Sequence, residues 1–287
     1  MIFALGAYLL WGLFPAFFPL LEPATPLEII AHRIIWTGVF MAAVLLVQGN
    51  WRQLRSISLA VWVRVTFAAV LIAANWLIYV IAVNTDHVAD AALGYFINPL
   101  VNVALGFLFL SERLSKLQLL SLTIALLAVL WLTVLAGQPP IVALGLALSF
   151  GFYGLIKKRI PLPATVSLTA ETLCLAPLAL GYLVFLEATG TGSFGHISIA
   201  HTCLLLSAGV VTAIPLLLFG VAAQRIHLST IGMLQYMTPT MQLLWAVFIV
   251  HETLSPARWL GFSFIWVAVA LFFFDIFRRY RKPAVCK

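Results

Sequence analysis

The sequence predicts an all-α membrane protein, ten transmembrane helices arranged as two inverted five-helix repeats. Composition is the first reason. Hydrophobic residues make up 63% of the 287 positions, charged residues only 9%, and the mean hydropathy is +1.10. A soluble globular chain is about half apolar and about a quarter charged, so a soluble reading leaves little polar surface to face water. The second reason is the length of the uncharged stretches, and the third is an internal repeat.

A membrane-crossing helix needs roughly 17–25 mostly apolar residues. Ten such segments follow one another: 2–21, 29–47, 61–83, 91–110, 117–135, 141–156, 166–187, 202–223, 229–250 and 259–277. The first is apolar from its start, with no basic leader or small-residue cleavage site, and reads as a retained span. The second carries His32 and Arg33 a turn inside its outer end. The fourth and ninth each hold a proline among polar residues. The sixth is short. The seventh carries Glu171 near its cytoplasmic end. Connections are brief, which leaves no room for a separate soluble domain.

Charge placement sets the orientation. The net charge of +7 resides in short loops and in the tail RRYRKPAVCK, the pattern of membrane topology rather than of nucleic-acid binding. With the N-terminus inside, 14 of the 16 lysines and arginines fall on the cytoplasmic side, leaving Arg33 and Arg258 outside. Outer loops hold Glu22, Glu28, Asp86, Asp90 and Glu252. Both termini are therefore expected in the cytoplasm. Cys174, Cys203 and Cys286 form neither a disulfide framework nor a metal-ligand spacing.

Sliding the chain over itself by 140 residues places YFINPLVNVA (95–104) on QYMTPTMQLL (235–244). Pro99 falls on Pro239, Asn98 on Thr238 and Asn102 on Gln242. SERLS (111–115) falls on HETLS (251–255), His87 on His227, and Asn84 on Gln224. At a shift of 139, Gly12 meets Gly151 and His32 meets Glu171. Two related units, 1–139 and 140–287, each hold five crossings. An odd number forces the second to insert upside down, the inverted repeat of many secondary transporters.

Proline lacks the N–H that would bond four residues back, so Pro99 and Pro239 free the carbonyls of Tyr95 and Gln235. In lipid this is tolerated where protein, side chains or cavity water satisfy the backbone. Tyr95, Asn98 and Asn102 share one helical face, and so do Gln235, Thr238 and Gln242. These two stripes, with Tyr236, are expected to face each other across a central substrate cavity beside two proline-broken helices. Polar glue between helices, typically worth about 1 kcal/mol or less per contact, is the alternative for any one of them. Trp11, Asn75, Trp76, Tyr79 and Tyr153 are expected around the same cavity, aromatic walls suited to flat or amphipathic molecules.

The segments AYLLWGLFPAFF (7–18), EIIAHRIIWT (28–37), NWLIYVIAVN (75–84), LGYFINPLVNVALGFLFLSERL (93–114), ALGLALSFGFYGLIKKRI (143–160) and LSTIGMLQYMTPT (228–240) carry a family resemblance. Over nearly its whole length the chain resembles the ten-helix EamA type of the drug/metabolite transporter superfamily, within it the RarD-like members. Those members usually carry a short polar leader before the first helix, so orientation here rests on the loops. The resemblance implies a bacterial inner-membrane transporter, an exporter of small organic compounds, acting as a monomer or homodimer.

Ionisable residues inside spans are costly and read as functional. Arg33 is either an anion contact or a snorkelling side chain paired with Glu28 or Glu22. His32 and Glu171 are gating or coupling candidates, and Glu171 is the best placed to exchange a proton. Lys157 or Lys158 is its alternative partner. No catalytic set, metal site or cofactor motif emerges. His251-Glu252 begins like HExxH but the fifth position is Ser255. Ala147–Gly151 only faintly echoes a serine elbow, and no phosphate-binding loop is present. A non-transporting scaffold and a passive facilitator remain as alternatives to a carrier. Alkaline phosphatase fused after residue 139 is expected to be active, and fused after residue 160 inactive. Assaying both fusions in cells checks the inside placement of the basic loops.

Overall fold

The computed structural model describes residues 1–84, 88–137, 141–251 and 253–280, all-helical among those residues. Asp86, His87, Glu252 and the tail from Arg281 lie outside the described residues, as do the side chains of Asn84 and Asp90. Thirteen helices are numbered in chain order: α1 (Ile2–Gly12), α2 (Phe14–Phe17), α3 (Pro26–Val47), α4 (Trp51–Arg55), α5 (Leu59–Asn84), α6 (Val88–Leu110), α7 (Lys116–Ala136), α8 (Ile141–Arg159), α9 (Ala164–Ala188), α10 (Ile199–Arg225), α11 (Leu228–Gln235), α12 (Met237–Phe248) and α13 (Pro256–Tyr280). A 3-10 turn, Phe18–Leu21, follows α2.

Local chemistry marks the ends. Thr25 accepts the Glu28 N–H at the start of α3, with Pro26 in the first turn, where no N–H is needed. Ser115 and Gln118 form a reciprocal capping box on α7, and Gly137 at φ 71° ends it. Ser111 and His251, paired by the 140-residue shift, both take positive φ, 53° and 60°. Equal positions of the two halves thus leave their helices by the same left-handed step.

Among the described residues nine segments are long and apolar enough to cross a membrane. The predicted ninth crossing is the exception, because Tyr236 divides it into α11 and α12. The expectation of two matching proline-broken helices is thereby corrected. α6 runs on through Pro99, which sits mid-helix, whereas Pro239 sits in the first turn of α12. There a missing N–H costs no bond and the fixed φ suits a helix start. The break lies three residues before that proline. The short sixth segment is also longer than expected, with 19 residues in α8.

Helix contacts pair off. α3 packs on α9, α7 on α13, and α6 on α11; α1 meets α12 and α10, while α8 meets α6 and α5; α3 meets α10, and α9 meets α5. The larger core joins α1, α3, α5 and α8–α10 through residues such as Tyr8, Met41, Ala68, Tyr153 and Phe219. The second joins α6, α7 and α13 through Ile97, Val129, Ile265 and Phe272. Small residues set the closest approaches. A Cβ on Gly12 would stand 2.7 Å from the Met241 Sδ, and one on Gly151 2.6 Å from the Val101 Cγ1.

The tightest crossing is α10 on α3. A Cβ on Gly209 would lie 2.3 Å from the Trp36 carbonyl carbon, and the Gly209 carbonyl accepts the Thr37 hydroxyl at 3.0 Å. Gly209→Ala should therefore destabilise by about 1–3 kcal/mol through overpacking. Gly181→Ala, with open space around it, should instead gain about 0.5–1 kcal/mol from helix propensity. Thermal unfolding of both variants in the same detergent tests the contrast.

Candidate functional site

The polar stripes meet where α6 crosses α11. Gly232 permits the approach, since a Cβ there would stand 2.7 Å from the Pro99 carbonyl oxygen and 2.8 Å from the Asn102 Cβ. Asn98, Asn102 and Gln235 are all buried. The Asn102 amide donates to Gln235 Oε1 at 2.9 Å and to Asn98 Oδ1 at 3.4 Å. Asn102 Oδ1 is sealed from solvent without a hydrogen-bond partner, so this seam retains an unused acceptor. The other end of the second stripe turns to α1. Thr238 donates to the Tyr8 carbonyl at 3.0 Å, and Gln242 to the Trp11 carbonyl at 3.4 Å.

Tyr236, Trp11, Asn75 and the Tyr79–Tyr95–Arg33 group fall in four other places. Tyr236 is buried in the α6–α7–α13 core, with its hydroxyl unpaired, apart from the seam. Trp11 sits in an aromatic group with Tyr8, Phe150 and Phe219, ring centroids 5.6–5.8 Å away. Asn75 ties α5 to α8 by donating to the Leu146 carbonyl and the Ser149 hydroxyl, both at 2.9 Å. Tyr79 and Tyr95 stand together, centroids 6.2 Å apart, within electrostatic reach of Arg33. The Arg33 guanidinium lies 4.4 Å from the Trp76 ring centroid, 5.2 Å from Phe18 and 5.9 Å from Phe14. Its Nε donates to the Thr212 hydroxyl at 2.9 Å.

With that geometry established, the comparisons with known proteins are decisive. The model of the EamA-like transporter family matches residues 1–134. The chain is 43% identical over 289 residues to Protein RarD of Streptomyces exfoliatus, covering 98% of this chain and 90% of that one. The chain is a RarD-like member of the EamA family. It is also 45% identical to Uncharacterized transporter YojE of Bacillus subtilis, over 96% of this chain and 93% of its relative. Protein RarD of Escherichia coli K12 is 40% identical over 99% and 96% of the two chains. A solved crystal structure superposes with a TM-score of 0.74 over 96% of this chain and 97% of its own at 18% identity, a likeness of fold. The resemblance carried by the segments quoted above therefore holds.

In this RarD-like chain Glu171 takes one of the two lysine partners the sequence offered, and the other buried charges are matched in ways it did not disclose. Glu171 is ion-paired with Lys157 Nζ at 2.6 Å, accepts from Ser167 at 2.8 Å and from the Tyr153 hydroxyl at 3.1 Å, all buried. Lys158 instead donates to the Ala223 and Ile226 carbonyls at the end of α10. A cavity of about 20 Å³ separates Glu171 from Trp76 and Thr37, room for about one water. Glu28 does not pair with Arg33. Its carboxylate accepts the Ser193 N–H and hydroxyl at 2.7 and 2.9 Å, with His32 Nε2 4.0 Å away. His32 Nδ1 accepts from the Trp36 indole at 3.2 Å, and the ring stacks on Phe194.

Glu112, unremarked in sequence beyond its repeat with Glu252, holds the start of α11. It accepts from the Leu228 and Ser229 N–H groups at 2.6 and 2.9 Å. A cleft of about 390 Å³ opens beside it, lined by Arg113, Gln118, His227 and Arg279. Its lining comes from the turns at Glu112 and His227 and from α7, α11 and α13, and includes none of Asn98, Asn102 and Gln235. The i, i+4 pairs Tyr153/Lys157 and Ser167/Glu171 were the signal that could have joined α8 to α9. Lys157→Met should cost about 3–5 kcal/mol by leaving Glu171 buried and unpaired. Adding Glu171→Met should restore most of that loss, and chemical unfolding of the single and double variants in micelles measures both.

Proposed function

We propose that this chain is a secondary transporter that exports small organic molecules by alternating access around a central cavity, in the bacterial inner membrane with both termini cytoplasmic. The segment 228–248 is then the tenth crossing, and residues 1–139 and 140–287 are the inverted repeats. The observation that carries the reading is the exchange of packing partners. Swapping α1 with α8, α3 with α9, α5 with α10, α6 with α11–α12 and α7 with α13 turns α1·α12 into α8·α6, α3·α10 into α9·α5, and α5·α8 into α10·α1. Two inverted units that interlock this way have two related closed faces, the condition for opening one at a time.

The cavity on this reading opens where Asn98, Asn102 and Gln235 now bond to one another and where Thr238 and Gln242 bond to α1. Tyr95, Tyr79, Asn75 and Trp11 border it, Tyr236 supports the bend in the ninth crossing, and Pro99 and Pro239 mark the moving segments. Protons are the coupling ion, Glu171 is the exchanging carboxylate once released from Lys157, and His32 gates the opposite face. Membership of the EamA-like transporter family and the names of the relatives support transport itself.

Proteoliposome flux with a panel of aromatic drugs, aromatic acids and amino acids, with and without a pH gradient, tests the proposal. Asn98→Ala and Gln242→Ala are expected to cut flux at least about tenfold while the protein still folds, the loss of about 1.4 kcal/mol of transition-state stabilisation. Glu171→Gln in the Lys157→Met background is expected to abolish the response to the gradient. Compounds that bind without crossing would replace the carrier by a receptor or scaffold. Flux unaffected by pH would make it a passive facilitator.

A further inference from the structure

We infer that Arg33 is the docking point for the carboxylate of a flat organic acid, so that the transported molecules are planar or aromatic monocarboxylates. The inference rests on the carrier reading and adds the substrate class. Every other buried carboxylate or lysine described has a charged or multiply bonded partner. Glu171 has Lys157, Asp275 has Arg279 and the Ser115 hydroxyl, Glu112 has the α11 start, and Glu28 has Ser193 and His32. Arg33 is only 8% exposed, yet among the described residues no carboxylate comes within ion-pair distance. Glu28, the acid offered by the sequence, is turned away to Ser193.

A guanidinium carries five N–H donors in a rigid fork. Thr212 takes the one on Nε, and the four on the terminal nitrogens have no acceptor among the described residues. Those nitrogens are not among the unpartnered side-chain atoms sealed from solvent. Trp76 and Phe18 cover the cation with ring faces, which stabilises the charge without consuming its donors. What remains is a two-pronged donor edge, the match for a carboxylate. Tyr79 lies three residues along α5 from Trp76 and pairs with Tyr95, ring centroids 6.2 Å apart, so their hydroxyls are on this reading further donors to the same anion. Their rings, with Trp76 on the guanidinium, are the aromatic surface this reading assigns to the body of the acid. Tyr95 is the first residue of the stripe that continues to Asn98 and Asn102.

The probes are benzoate and 3-phenylpropanoate, each against its neutral amide, titrated calorimetrically into the full-length protein in nanodiscs. The acids are expected to bind at least about tenfold more tightly than the amides. Arg33→Gln should remove that preference, and Arg33→Lys, which keeps the charge without the fork, should retain part of it. Because the acid–amide comparison uses the unmodified protein, it stands even if Arg33→Gln fails to fold. Equal affinity for acid and amide, absence of binding by either acid, or an unchanged preference in folded Arg33→Gln would each overturn the inference. Acid-selective binding with no flux in proteoliposomes would instead overturn the carrier reading and leave the Arg33 assignment in place. Flux of amides only would support the carrier and overturn the carboxylate class.

Discussion

The hydrogen bond from Asn102 to Gln235 joins residues 133 positions apart at a point where both side chains are shut away from water. In an apolar exterior a polar group has only the protein's own interior to answer it. The fold arranges its helices so that this happens. Gly232 lets α11 come close enough to α6, and the same closeness seats α11 behind Pro99. From that crossing α12 leads to α1 through Thr238 and Gln242, and α1 leads through Tyr8 and Phe219 to the larger core. The central polar contacts and the apolar packing are one construction.

Much of this was legible because a bilayer simplifies the rules. Span lengths follow from hydrocarbon thickness, so nine segments could be read from uncharged runs, and α9 and α10 lie within two or three residues of expectation. The repeat, at a shift of 139 residues, set Gly12 against Gly151, and both prove to be close helix approaches. It did not foresee that Pro99 and Pro239 would act differently. Proline's effect depends on its distance from a helix start, and sequence alone did not locate the restart at Met237.

Charge partners were harder to read. Glu28 was the acid nearest Arg33 in sequence, but a separation of five residues along α3 puts it off the same face, and Glu28 is bound by Ser193 from a loop 165 residues away. Glu171 had two lysines just before its span, and only the helical phase of α8 selects Lys157 for the interior while Lys158 reaches the end of α10. Long-range loop contacts and helix phase are tertiary facts. A one-dimensional repeat can propose such residues without choosing among their partners.

The grip of Glu112 on the start of α11 also has a mechanical meaning. Two backbone bonds and a serine hydroxyl weld the turn after α6 to the first residues of α11. The helical ladder is interrupted at Tyr236, and beyond it α12 is fastened to α1 instead, through Thr238 and Gln242. The two halves of one broken helix thus hang from different anchors, one on the turn after α6 and one on α1.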